Sequence, residues 1–112
     1  MKLDTRPLAD DAGVVVTVPG EHLDVGNSKD FREALQPVLE GHDTVLLDLS
    51  DVDFIDSSGL GSLLSCLRTM NAKDGDLRLF GMRKPVQAMF ELVRMHRLFA
   101  IYDTEDEACA TL

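Results

Sequence analysis

A chain of 112 residues with 45% apolar composition can bury one hydrophobic core without disulfides or a structural metal, so a single domain over residues 1–112 is expected. Its 20 acidic against 11 basic side chains leave a formal net charge of −9, which repels phosphate backbones and anionic lipid and excludes nucleic acid and membrane surfaces as expected partners. No apolar run approaches the ~20 residues that span a bilayer, and "MKLDTRPLADDAG" lacks the apolar stretch of a secretory signal, so the expected compartment is the cytoplasm.

A first strand is expected from about Lys2 to Pro7, followed by the turn-like "ADDAG" and a stronger strand, "VVVTV", from Val14 to Val18. These two can pair as a hairpin. After the loop "PGEHLDVGN", Ser28 is a suitable N-cap for a helix whose Phe31, Ala34, Leu35, Val38 and Leu39 follow i, i+3, i+4, i+7, i+8 spacing. Pro37 lies inside that pattern and should kink or tighten the last turn, with Gly41 as the stop. "TVLLDLS", residues 44 to 50, is nearly continuous in apolar side chains, the mark of a central strand covered on both faces.

A second helix begins near Ser58. Leu60, Leu63, Leu64, Leu67 and Met70 mark one face, while Ser62, Ser65, Arg68 and Thr69 mark the opposite one. A strand from about Asp76 to Phe80 precedes a third helix with Pro85 in its first turn and Val86, Met89, Phe90 and Val93 on its apolar face. "LFAIYDT" supplies a last strand and "EDEACATL" a terminal helix. The order β-β-α-β-α-β-α-β-α predicts an α/β domain, with parallel pairing between strands joined by helices and a mixed sheet if the hairpin forms.

Chemical motifs are few. "SSGLGSLL" is neither a dinucleotide-binding glycine signature nor a P-loop, and His22, His42 and His96 lie in separate segments without metal-binding or catalytic spacing. Cys66 and Cys109 form no CxxC or Cys/His zinc pattern and are expected as reduced, partly buried thiols. No catalytic residue, cofactor or metal is therefore expected. Asp48, Asp51, Asp53 and Asp56 gather at the end of the central strand and could resemble a magnesium site. A phosphoaspartate receiver, however, would want its acidic pair after the first strand and a Lys after the fifth. Here Asp10 and Asp11 precede the strong strand and residues 100–104 contain no Lys, so turn and cap roles are expected for these carboxylates.

The segment "FIDSSGLGSLL" stands apart because a strand ends, a short turn follows and a helix begins. Asp56, Ser57 or Ser58 can cap that helix, a role worth ~1 kcal/mol. The same helix start, with free N–H groups and a positive dipole end, also suits an anionic phosphate, and a serine there can accept one without melting its helix. Gly59 and Gly61 cost helix propensity and leave space for a partner's active site to approach the hydroxyl.

This segment resembles the phosphorylation segment of anti-sigma factor antagonists, the bacterial members of the STAS (sulfate transporter and anti-sigma antagonist) family. The resemblance extends over nearly the whole chain through "VVVTVPGE", "LDVGNSKDFREAL", "VLLDLSDVDFIDSSGLGSLL", "LRLFGMRKPVQAMFELVRM" and "LFAIYDTEDEA". It implies a STAS-like mixed, mostly parallel sheet of about five strands flanked by about four helices, consistent with the element order above. It also implies Ser57 as phosphoacceptor and Ser58 as a neighbouring hydroxyl that helps cap the helix. Asp56, Gly59, Gly61 and the acidic loop around Asp24 would surround the partner-binding surface.

By the same resemblance, the unphosphorylated protein binds an anti-sigma factor that is also a serine kinase, with ATP held by the kinase, phosphorylation of Ser57 blocks that binding, and a PP2C-type phosphatase restores the unphosphorylated form. Such a domain is a substrate and a switch rather than an enzyme. A non-catalytic STAS subunit of a signalling scaffold or transport complex is the alternative. Two departures stand out: His22 in "GEHLD", and Arg97 in "MHRLF" where a Gly often ends the third helix. Arg83, Lys84, Arg94 and Arg97 concentrate positive charge around that helix, as a solvated face or a second partner surface.

Overall fold

The computed structural model describes residues 1–112. In chain order its elements are β1 (Asp4–Pro7), β2 (Val14–Thr17), β3 (His22–Leu23), α1 (Ser28–Gly41), β4 (Thr44–Asp48), β5 (Phe54–Ile55), α2 (Ser57–Ala72), β6 (Asp76–Phe80), α3 (Lys84–Leu92), β7 (Ala100–Tyr102) and α4 (Glu105–Cys109). Short 3-10 turns add Ala9–Asp11 and Met95–Arg97. The main sheet has five strands in the order β1-β2-β4-β6-β7. β1 and β2 form the expected antiparallel hairpin, and the remaining neighbours are parallel.

β4 is central, and its alternation explains the continuous apolar run read in the sequence. Val45 and Leu47 pack with Val14, Val16, Leu77 and Leu79 into the large core under α1, α2 and α3. Leu46 points to the other face and joins Val15, Phe80 and Ala108 of α4. With side chains alternating at a period of two, a strand covered on both faces has no polar position to offer. Arg78 is the buried exception: it pairs with Asp76 at 2.8 Å and donates to Ala108 O and Thr111 Oγ1, tying α4 to the sheet.

The helices follow the predicted apolar stripes, with differences at their ends. α1 continues through Pro37 to Gly41. Its cap position falls on Asn27 rather than Ser28, which lies one residue inside the helix and is buried. Ser62, placed by its spacing on the polar face of α2, is buried, and its Oγ donates to Gly59 O at 2.7 Å. An i−3 carbonyl within the same helix can satisfy a hydroxyl, so burial there leaves no polar group unpaired. α3 stops at Leu92, leaving Val93 at its C-cap and exposed rather than in the core. The last strand starts only at Ala100, and the terminal helix ends at Cys109. Cys66 and Cys109 are free, and burial pushes the Cys66 thiol up to about 12. No helix is long and apolar enough to cross a membrane.

Candidate functional site

β3 and β5, two residues each, are absent from the sequence reading and build the platform of the site. They pair in parallel, with His22 beside Phe54 and Leu23 beside Ile55. Leu23 and Ile55 are buried, so the alternation of an extended chain turns His22 and Phe54, and then Asp24 and Asp56, outward together. The backbone N–H of Asp56 donates to Leu23 O at 3.3 Å, which extends the pairing to the first residue before α2.

Asp56 is the N-cap of α2. Its extended backbone (φ −110, ψ −173) lets one carboxylate reach two N–H groups: Gly59 N donates to Oδ1 at 2.9 Å and Val25 N donates to Oδ2 at 3.1 Å. The first bond satisfies an orphan donor of the helix start, and the second fastens the loop after β3 to it. The hydrogen bond from Gly59, with further support from Val25, holds the Asp56 carboxyl below the ordinary carboxylate range. Ser58 was expected to help cap the helix and does not: its side chain is half-buried and makes no hydrogen bond, because Asp56 already spans the cap.

Ser57, the first residue of α2, is exposed, and no protein group hydrogen-bonds its Oγ. This chain therefore offers an accessible hydroxyl on a helix's first turn without a base to activate it. The two glycines that follow differ. A β-carbon on Gly59 would lie 2.1 Å from Leu23 O and 2.7 Å from Ile55 Cγ1, so this glycine serves the close packing of α2 on β3 and β5. The expectation that Gly59 leaves room for a partner is corrected on that geometry. Gly61 is exposed with nothing within 4 Å of its β position, one turn beyond Ser57 on the same side.

The acidic loop is ordered by its own side chains. Gly26 N donates to Asp24 Oδ1 at 2.9 Å, Asp24 N donates to Asn27 Oδ1 at 2.9 Å, and Asn27 Nδ2 donates to His22 O at 2.8 Å. Asn27 went unread in the sequence, although an Asp-x-Gly-Asn run ahead of a helix is the composition of an Asx turn. His22 Nε2 lies 3.9 Å from Asp24 Oδ2, a contact that carries charge only when the ring is protonated.

The carboxylates after β4 do not converge. Asp48 Oδ1 accepts from Ser50 N at 2.9 Å, Asp53 pairs with Arg83 at 2.6 Å, and Asp56 caps α2. No cluster of three or more metal-ligating side chains forms. Asp48 and Asp56 take the turn and cap roles expected of them, Asp53 is drawn into an ion pair, and the groups are spread apart. Arg83 also donates to Ser50 O at 2.6 Å, which removes it from the expected basic face and makes it a strut for the loop before β5. What the sequence reading missed altogether is the apolar surface beside Ser57, where Val25 is 77% and Phe54 is 54% exposed.

A model of the family described as "STAS domain" matches residues 4–108. A Thermotoga maritima protein provisionally named an anti-sigma factor antagonist is 30% identical over 97 residues, covering 85% of this chain and 86% of that protein. The anti-sigma-B factor antagonist of Staphylococcus epidermidis is 29% identical over 102 residues, covering 90% and 94%. Among solved structures, the anti-sigma factor antagonist SpoIIAA in its unphosphorylated form aligns with a TM-score of 0.69 at 19% identity, over 98% of this chain and 96% of that one. Its phosphorylated form, from Bacillus, aligns with a TM-score of 0.69 at 21% identity, over 98% of both chains. At these identities the likeness to SpoIIAA is one of fold.

Proposed function

Since the chain belongs to the STAS domain family and is similar to proteins named anti-sigma factor antagonists, we propose that it is a phosphorylation-controlled partner switch of that kind. The observation that carries the reading is an exposed Ser57 on the first turn of α2, next to a cap that keeps the helix intact without it. In the unphosphorylated state the surface around Ser57, with Asp24, Asp56, Ser58 and Gly61, binds an anti-sigma factor that is also a serine kinase. The kinase holds ATP; its γ-phosphoryl group passes to Ser57 Oγ, the hydroxyl proton goes to a base on the kinase, and ADP leaves. A PP2C-type phosphatase returns the hydroxyl, and the exchange takes place in the cytoplasm.

Phosphoserine adds about −1.5 to −2 charges at pH 7. At the end of a helix dipole that charge is tolerated by the fold. At the interface it is not, because it stands beside the ionised Asp56 and faces a surface fitted to a neutral hydroxyl. Release follows from local clash and repulsion, with the sheet unchanged. The test uses the serine kinase encoded nearest to this gene, with labelled ATP. Wild type takes label on Ser57, whereas Ser57→Ala takes none and still binds the kinase. Label on another residue, or chemical-shift changes throughout the sheet on phosphorylation, would overturn the reading.

A further inference from the structure

We propose that Phe54 and Val25 are the apolar anchors of the docking surface, received by the kinase in an apolar pocket rimmed with basic side chains. This rests on the reading of Ser57 as the phosphoacceptor and adds what holds the kinase there. Position supplies the first argument. Phe54 lies on the outward face of the β3–β5 pair, on the same side as Asp24 and Asp56, and its neighbour Ile55 faces the core. An outward strand position asks for nothing apolar, yet it carries an aromatic ring that is 54% exposed.

Val25 is the more exposed of the two, at 77%, and its backbone N–H is bonded to Asp56, the residue that immediately precedes Ser57. Val25 is thereby tied to the residue before the acceptor, and Phe54 precedes the acceptor by three positions on the strand that leads into α2. Other large exposed apolar side chains lie on the end of α3 and beyond it, at Leu92, Val93 and Leu98, or at the termini, at Met1 and Leu112.

Rigidity supplies the second argument. Asp53 N and Phe54 N both donate to Glu21 O, at 2.7 and 3.2 Å, and the Asp24–Asn27 loop is closed by its own side-chain bonds. A surface held this way loses little conformational freedom on docking, so apolar contact converts efficiently into affinity. Charge supplies the third argument and selects the occupant. Asp24 and Asp56 share the outward face, and Glu21 and Asp51 border a polar hollow next to Asp53, whose charge Arg83 already meets. A basic rim on the partner complements these carboxylates, whereas a second copy of a chain with net charge −9 brings like charge to them.

The experiment takes the kinase that labels wild-type Ser57 and measures its binding to Phe54→Ala and Val25→Ser by calorimetry, with steady-state phosphorylation in parallel. Phe54→Ala should weaken binding about ten-fold or more, as loss of an aromatic anchor does, and Val25→Ser by a smaller factor. Because the anchors hold substrate equally before and during phosphoryl transfer, KM should rise while kcat stays nearly unchanged. Thermal melts should stay close to wild type for Val25→Ser, which is 77% exposed, and fall modestly for Phe54→Ala, whose ring is 54% exposed. Binding of both variants within about two-fold of wild type, with Ser57 still labelled, overturns the anchors and leaves the phosphoswitch standing. Absence of labelling on wild type overturns both. Wild-type self-association that Phe54→Ala abolishes, with kinase binding unaffected, assigns the face to a second copy and overturns the proposal.

Discussion

Gly59 and Gly61 stand two positions apart in one turn of α2, yet a β-carbon on the first would lie 2.1 Å from Leu23 O and one on the second would meet nothing within 4 Å. The difference divides the "DSSGLGS" segment into two halves. Asp56, Gly59 and Ser62 serve the fold: Asp56 caps the helix from its outward strand position, while Gly59 and Ser62 are buried, one admitting the backbone of β3 and the other closing its hydroxyl on the carbonyl of Gly59. Ser57 and Gly61 point out and are exposed. A motif that looks like a single functional signature is a folding device on one side and a presented surface on the other. Substitutions on the two sides should therefore separate stability from phosphorylation.

The largest effect is expected at Gly59. Alanine there must push Leu23 O and Ile55 away from α2, and backbone cannot yield as a flexible side chain can. A loss of about 3 kcal/mol is expected from overpacking of this kind, a large share of the 5–15 kcal/mol that typical domains possess. Urea denaturation measures it; a midpoint equal to wild type would erase the inner half of the comparison. Asp56→Ala should cost about 1–2 kcal/mol, since it removes the cap and the bond that fastens the loop after β3 to α2. This loss depends on pH. The carboxyl is held below its unfolded value, so its contribution is complete above the ordinary Asp pKa of about 3.9 and is lost as pH falls through the lower folded value. Wild type and Asp56→Ala should thus converge in stability under acid, and parallel urea titrations at neutral and acidic pH check it.

Much of this architecture is legible in the sequence, for reasons that also mark what the sequence leaves hidden. "TVLLDLS" and "VVVTV" declare buried strands because bulk and continuity leave no other place for them, and the i, i+3, i+4 stripes of α1 and α3 declare which faces pack. The β3–β5 pair was invisible because two residues per strand carry no periodicity, and because His22 meets Phe54 only through a register set by the rest of the fold. The same long-range approach hides the reason for Gly59: nothing near it in sequence announces Leu23. Ser62 was misplaced because serine reads as polar, whereas an i−3 carbonyl lets it be buried. Ser58 was credited with a share of the cap that Asp56 holds alone, since only a carboxylate spans both Gly59 N and Val25 N. Exposure of Ser57 fits the role assigned by the motif, but the apolar surface beside it needed the fold.

On the outer half, Gly61→Ala should act in the opposite sense to Gly59→Ala. The position is helical and open, so alanine removes the entropy cost of glycine and should stabilise the protein by about 0.5–1 kcal/mol, read as a higher melting temperature. If the space beside Ser57 serves the kinase, labelling of this more stable variant should slow, so that stability and phosphorylation move in opposite directions.

The smallest change in stability belongs to the serines themselves. Neither Ser57 Oγ nor Ser58 Oγ makes a hydrogen bond, so removing either hydroxyl should shift stability by no more than about 0.5 kcal/mol. Their effects on labelling should nevertheless be unequal. Ser57→Ala should abolish it, because the acceptor oxygen is gone, while Ser58→Ala should retain it, because the half-buried neighbour neither caps the helix nor faces solvent as Ser57 does. A Ser58→Ala variant that folds like wild type but takes no label would move the acceptor one residue along the helix. The division between inner and outer halves would then have to be redrawn with Ser58 on the outer side.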